Sequence, residues 1–256
     1  MSAVTTMKMP KRVPHAESKA FSGKILYIVA GVAALVALAA NLLDVILGFG
    51  ETDIFVYGTM HATDWFALFQ ENWFKGLYVL GILNIVYMMA MVPLYFALLA
   101  VHRRTYELYA ALALTVFAIG MAIYVANNAA IPMFVLSGKY AAAATDAQRA
   151  LFAAAGETVL ARGEDFTPGS FIGMIFGGIA AITISLVMLR GGVFGKVTAW
   201  AGIVGFTFLS IFTVLATFVP ALYYIAYYFF AMIGGLLALA WFALVALKFL
   251  KLGRTG

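Results

Sequence analysis

The chain has 256 residues, of which 65% are hydrophobic and only 11% are charged, and its mean hydropathy is +1.01. A soluble domain carries about a quarter charged residues, so this composition excludes an ordinary soluble globular protein. The formal charge of +5 comes from basic residues at predicted helix ends, which argues against nucleic acid as a partner. The lack of cysteine excludes disulfides and thiolate chemistry.

Six apolar stretches follow a polar, basic leader at residues 1–24. Each stretch is long enough to cross a hydrocarbon core of about 30 Å as an α-helix. The six predicted spans are 25–49, 77–101, 106–128, 170–189, 197–217 and 222–247. Pro93 predicts a kink in the second span. The sequence therefore predicts an all-α polytopic membrane protein, with a six-helix domain at 25–252 and a short cytoplasmic tail at 253–256.

The basic residues orient these spans. Twelve of the sixteen Lys and Arg lie in the leader, in the short connections 102–105 and 190–196, or after the last span. The other four lie on the opposite side, together with eight of the eleven Asp and Glu. Because cytoplasmic segments carry the excess of Lys and Arg, both ends of the chain are predicted in the cytoplasm. The two long connections, about 48–76 and 129–169, are then extracytoplasmic.

Each long connection contains a predicted amphipathic helix. Residues 61–74 mix five aromatic rings with polar side chains, a composition typical of helices that lie in the membrane interface. Thr145 and Gln148 form a capping-box pattern, and strong helix formers continue from there to Ala161. We expect these two helices to cover the outer end of the bundle.

Small residues recur every four positions where the fourth span begins, at Gly169, Gly173 and Gly177. A face of small side chains allows a neighbouring helix backbone to approach closely in a membrane. The pattern indicates either dimerisation or, as we favour, packing against another helix of the same bundle.

Polar side chains in the outer halves of the spans predict a ligand pocket. Asp44 is the only ionisable residue well inside a span, and Asn41 lies one turn before it. Such groups are costly in hydrocarbon unless they have a partner. The predicted pocket residues are Asn41, Asp44, Asn84, Asn127, Ser210, Thr213, Tyr223 and Tyr227. In the alternative interpretation, the amides and hydroxyls bond between helices and the tyrosines form an interfacial belt.

Motifs for catalysis or metal binding are scarce in this sequence. No two histidines lie on facing spans, which argues against an axially ligated haem, and no lysine lies in the middle of a span, which argues against a retinal Schiff base. His61 and Asp64 are spaced i, i+3, but two ligands are too few for a metal site. No Ser or Thr lies near an obvious base. We therefore predict no catalytic residues, no metal and no cofactor.

Four segments resemble a known family. They are 140–156 (YAAAATDAQRALFAAAG), 185–190 (SLVMLR), 194–203 (FGKVTAWAGI) and 241–248 (WFALVALK). Over about 25–252 the chain resembles the bacterial domain-of-unknown-function 4386 family of multi-spanning membrane proteins. The resemblance implies a location in the bacterial cytoplasmic (inner) membrane. It supplies no established activity and no catalytic residues.

Three classes of function are compatible with these observations. The first is a non-enzymatic sensor or accessory subunit that binds a small or lipid-like ligand in an outward-facing polar pocket. The second is a secondary transporter that uses Asp44 as a coupling carboxylate. The third is a membrane-embedded enzyme acting at the outer surface. We favour the first, with membrane lipids, a small or lipid-like ligand or a membrane-protein complex as the expected partners.

Overall fold

The computed structural model describes residues 15–49 and 60–255. Within these residues all regular secondary structure is helical, as the apolar composition predicts, and it comprises eleven α-helices, one 3₁₀ turn and one π turn. The α-helices are α1 (His15–Phe49), α2 (Ala62–Glu71), α3 (Trp73–Val79), α4 (Ile82–His102), α5 (Glu107–Asn127), α6 (Ala130–Ala141), α7 (Asp146–Gly163), α8 (Pro168–Gly191), α9 (Lys196–Phe218), α10 (Tyr223–Ala226) and α11 (Met232–Thr255).

Six of these helices are long and apolar enough to cross a membrane: α1, α4, α5, α8, α9 and α11. The predicted fold class, an all-α polytopic membrane protein with six spans, is therefore confirmed. Each spanning helix contacts the next one along the chain, and α1 also contacts α11. The six helices thus form a closed ring. Its core contains large side chains from several spans, including Tyr95, Phe117, Trp241 and Phe249.

Three spans have boundaries that differ from the prediction by more than two residues. Helix α1 begins at His15, inside the predicted leader, while the rest of that leader lies outside the described residues. The second span begins at Ile82 rather than 77, because Gly81 has a φ of 82° and interrupts the helix. Its side chain is a hydrogen atom, so glycine adopts this left-handed conformation at little cost. In the last span, the 3₁₀ turn Pro220–Leu222 and the π turn Tyr227–Ala231 precede α11.

One end of the ring is covered by α2, α3, α6 and α7, which we call the helical cap. Its apolar core includes Trp65, Phe66 and Phe69 from α2 and Met133 from α6. The backbone NH of Ala62 donates to the Glu157 carboxylate over 2.8 Å, which joins α2 to α7. The two predicted external helices thus correspond to parts of a four-helix layer, and their extracytoplasmic side stays a prediction.

The glycines of α8 lie at different kinds of contact. A methyl group added to Gly173 would lie 2.6 Å from Cβ of Tyr124 in α5, closer than real Cβ contacts allow. Gly169 is as tightly placed against Asn127. At Gly177 the nearest neighbour of such a methyl would be the terminal carbon of Met88, 4.0 Å away. The close approach of α5 and α8 therefore depends on the first two glycines.

Candidate functional site

A cavity of about 410 Å³ lies at the cap end of the ring, between α1, α9 and α11. It is lined mainly by apolar side chains, and a few polar side chains lie together on one side. Among the described residues, those that contribute polar or aromatic groups include Asn41, Asp44, Asp165, Phe166, Tyr223 and Tyr227. Four of the eight pocket residues predicted from the sequence, two from α1 and two from the last span, thus meet at one cavity.

Helix α1 supplies the first two of these residues. Asn41 and Asp44 are three positions apart, so they lie on one face of the helix. The side-chain amide of Asn41 donates to the backbone carbonyl of Ala37 over 2.7 Å, which fixes its orientation. Asp44 is partly exposed within the cavity wall. The helix therefore presents an amide and a carboxylate to the same space.

The link between α7 and α8 supplies a second carboxylate, Asp165. The link is held by a local turn, in which the hydroxyl of Ser170 donates to the carbonyl of Glu164 over 2.9 Å. The next residue, Phe166, has a φ of 63°, a left-handed conformation that is strained for a bulky side chain. Strained backbone of this kind is concentrated at functional sites. Asp165 is exposed by solvent accessibility, and its side chain lines the cavity.

Asp44 and Asp165 are close enough for their negative charges to act on each other. In the part of the chain that the structure describes, neither carboxylate accepts a hydrogen bond or forms an ion pair. The described lining contains no Lys, Arg or His either. Two carboxylates without a partner in a mostly apolar cavity are unfavourable. A bound cation, a hydrogen-bond donor or a proton would relieve this cost.

Four aromatic rings stand beside the carboxylates. Phe212 of α9 makes edge contacts with Phe166, at 5.4 Å between ring centroids, and with Tyr223, at 5.7 Å. Tyr223 and Tyr227 are stacked, with an angle of 8° between the rings and 6.3 Å between centroids. All four line the cavity. We call Phe166, Phe212, Tyr223 and Tyr227 the aromatic group.

The π turn Tyr227–Ala231 begins within this aromatic group. The backbone NH of Met232 bonds to the carbonyl of Tyr227, five residues earlier, instead of four. Both ends of the turn line the cavity. Because π turns are often found at functional sites, this local departure from α-helix supports the same location.

The remaining predicted pocket residues lie outside the described cavity lining. Ser210 and Thr213 donate to backbone carbonyls four residues earlier in α9, over 2.8 and 2.9 Å. Asn127 donates to the carbonyl of Ile123 in its own helix and accepts from the Arg162 guanidinium. The polar groups of these three residues thus form hydrogen bonds within the protein, as in the alternative interpretation. Most of these bonds lie within one helix rather than between helices.

Asn84 belongs to a different polar cluster, around Gly81. A methyl group on Gly81 would lie 3.3 Å from the amide nitrogens of Asn84 and Asn128 and from the hydroxyl of Tyr124. The amide of Asn128 donates to the carbonyl of Leu80 over 3.2 Å and accepts from the NH of Ala130 over 3.0 Å. This cluster stabilises the helix break before α4. Asn84 is therefore absent from the described cavity lining, and its place in one ligand pocket with Asn41 and Asp44 stays a prediction.

Sequence reasoning missed Asp165 and Phe166. Asp165 was counted only as one of the acids on the side with few Lys and Arg. The available signal in the sequence is that Asp165 lies five residues before the predicted start of the fourth span at 170. That position predicts a carboxylate at the edge of the membrane. It does not show that Asp44 of α1 lines the same cavity.

A comparison of the chain with protein-family models, curated proteins and solved structures found no match. The resemblance to the domain-of-unknown-function 4386 family is neither supported nor contradicted and stays a prediction.

Proposed function

We propose that this protein is a non-enzymatic ligand-binding protein of the bacterial inner membrane, acting as a sensor or accessory subunit. Its ligand, small or lipid-like, binds in the cavity between α1, α9 and α11. The observation that carries this proposal is the pair of carboxylates, Asp44 and Asp165, that face one cavity without a partner among the described residues.

The size and composition of the cavity support binding. Ligand pockets in proteins typically measure about 300–1,000 Å³ and combine an apolar lining with a few polar groups, and this cavity of about 410 Å³ has both features. Against an enzyme, its described lining includes no Ser, Thr, Cys or His. Among the described residues, no group of three His, Cys, Asp or Glu side chains could hold a metal ion.

We propose that the cap end faces the periplasm and that both chain ends lie in the cytoplasm. The support is the distribution of charge, since Lys75, Lys139, Arg149 and Arg162 are the only Lys and Arg that the sequence places on the cap side. A green fluorescent protein fused after Gly256 should fluoresce, and alkaline phosphatase inserted between α6 and α7 should be active. A fusion that does not fluoresce, together with an inactive phosphatase insertion, would overturn this orientation.

Secondary transport is a second candidate, and one observation favours it. The last span departs from α-helix at the π turn Tyr227–Ala231, next to the carboxylates, and transporter sites are often built at irregular helices. Reconstitution into liposomes distinguishes the two candidates. A transporter moves its ligand across the bilayer, and that flux depends on Asp44, whereas a sensor or accessory subunit binds without flux.

Mass spectrometry of small molecules and lipids that copurify with the protein tests the binding proposal. The matched variants are Gly235→Leu and Gly138→Leu, because an added Cβ meets nothing within 4 Å at either glycine. Gly235 lines the cavity and Gly138 lies on the exposed surface of α6. We expect Gly235→Leu to lose the bound molecule and Gly138→Leu to retain it. Identical copurifying material in the wild type and both variants would contradict the proposal.

A further inference from the structure

We infer that the ligand of this cavity is an organic cation, with an ammonium group held by Asp44, Asp165 and the aromatic group and an apolar tail along α11. This inference rests on the proposed function, since it names the class of ligand for the same cavity.

The charges around the cavity favour a cation. The two carboxylates are negative, and the described lining supplies no positive side chain to balance them. In a mostly apolar wall the attraction between opposite charges is stronger than in water. Of the groups that would relieve the cost of these carboxylates, only a cation also supplies the opposite charge.

The aromatic group favours an ammonium ion over a metal ion. The face of an aromatic ring carries partial negative charge, and rings arranged around a space recognise quaternary ammonium groups. Phe166, Phe212, Tyr223 and Tyr227 line the cavity beside the carboxylates. Calcium and magnesium instead require six or more oxygen ligands, and ring faces do not supply them. The mixture of two carboxylates and four rings therefore fits an alkylammonium group.

The remainder of the lining fits an apolar tail. Beyond the polar side, the described wall consists largely of Leu209, Met232, Leu236, Leu239 and Phe242. A bare ammonium ion would leave this surface in contact with water. An alkyl chain attached to the ammonium group would cover it, and burial of that apolar area would add to the affinity.

The test uses three probes of similar length: hexyltrimethylammonium, the neutral alcohol 1-heptanol and the anion hexyl sulfate. Binding to the full-length protein in nanodiscs of zwitterionic lipid is measured by equilibrium dialysis, with empty nanodiscs subtracted as the blank. We expect the cation to bind at least about tenfold more tightly than either other probe, because a desolvated charge and cation–π contact each contribute about this factor.

Two pairs of variants locate the cation. Asp165→Asn and Glu164→Gln each remove one negative charge at neighbouring positions, but only Asp165 lines the cavity. Tyr227→Leu removes a ring from the aromatic group, whereas Tyr228 is 68% exposed and is absent from the described lining. We expect Asp165→Asn and Tyr227→Leu to weaken binding of the cation about tenfold, and Glu164→Gln and Tyr228→Leu to leave it unchanged. Melting curves of the ligand-free variants show whether each one is folded.

The outcomes separate this inference from the proposed function. If Gly235→Leu abolishes binding but the neutral probe binds as tightly as the cation, the cavity is a ligand site and the inference about charge is overturned. The same holds if Asp165→Asn is folded and binds the cation as the wild type does. If all three probes bind equally well to the wild type and to Gly235→Leu, both the inference and the proposed function are contradicted. If no probe binds above the blank, only the inference is overturned.

Discussion

The cavity and the helix break at Leu80–Gly81 both contain polar side chains at the cap end of the ring, but Asn128 at the break bonds to the protein, whereas the two cavity carboxylates do not within the described residues. At the break, Asn128 bonds to the carbonyl of Leu80 and to the NH of Ala130, so that the amide replaces backbone bonds lost where the helix stops. In the cavity, Asp44 and Asp165 have no such partners among the described residues. A polar residue in a membrane bundle is therefore a stronger sign of a binding site when the protein itself leaves it unsatisfied.

The largest effect on stability is expected from a substitution at the helix break, where Asn128 is hydrogen-bonded. Asn128→Leu removes a donor and an acceptor and leaves the Leu80 carbonyl and the Ala130 NH without their present partners. Each unsatisfied buried group costs about 1–3 kcal/mol, so the loss of both partners should lower the free energy of unfolding by about 2–6 kcal/mol. Denaturant unfolding in detergent measures this change.

The control for Asn128 is Asn72. Its side chain accepts a hydrogen bond from the NH of Lys75 at the exposed start of α3, and loss of such a helix cap costs about 1 kcal/mol. If Asn128→Leu were no more destabilising than Asn72→Ala, the amide of Asn128 would not be holding the break together.

Next in size is the seam between α5 and α8, which positions Asn127 and Asn128. Gly173→Ala should lower the free energy of unfolding by about 1–3 kcal/mol, because its methyl group would overlap Tyr124. Gly177→Ala has room and should be neutral or stabilising by up to about 1 kcal/mol, since alanine favours helix. Equal melting temperatures for the two variants would mean that α8 does not approach α5 through Gly173.

A substitution of a cavity carboxylate should change the free energy of unfolding in the opposite direction. Asp165→Asn removes a negative charge that repels Asp44, so the ligand-free protein should be as stable as the wild type or more stable by about 1 kcal/mol. Binding of the copurifying ligand should weaken at the same time. A clear loss of stability in the ligand-free variant would instead give Asp165 a structural role and remove the contrast with Asn128.

The smallest effect is expected in α9. The hydroxyl of Thr213 donates to the carbonyl of Leu209 in its own helix, which already takes part in the helical hydrogen-bond ladder. Thr213→Val should therefore change the free energy of unfolding by less than about 1 kcal/mol and leave ligand occupancy unchanged. Reduced occupancy in mass spectrometry would restore Thr213 to the site from which the structure separates it.

These contrasts also show which residues of the site can be predicted from the sequence. Asn41, Asp44, Tyr223 and Tyr227 stood out because polar groups are rare and costly inside apolar spans. The same rule also selected Ser210, whose hydroxyl is satisfied locally. Composition alone cannot separate the two cases, since a bond to the residue four positions earlier is available to any helical serine.

By itself the sequence determined the number and approximate position of the six spans. An apolar stretch of about 20 residues is a local property, and the bilayer thickness sets its length independently of the neighbouring helices. Only the tertiary structure decided three other features. They are the order of contacts in the ring, the left-handed turn at Gly81 and the approach of Asp165 to Asp44. The two carboxylates belong to segments far apart in the chain. They face one cavity because α1 closes the ring against α11 and the link between α7 and α8 contributes to the same wall.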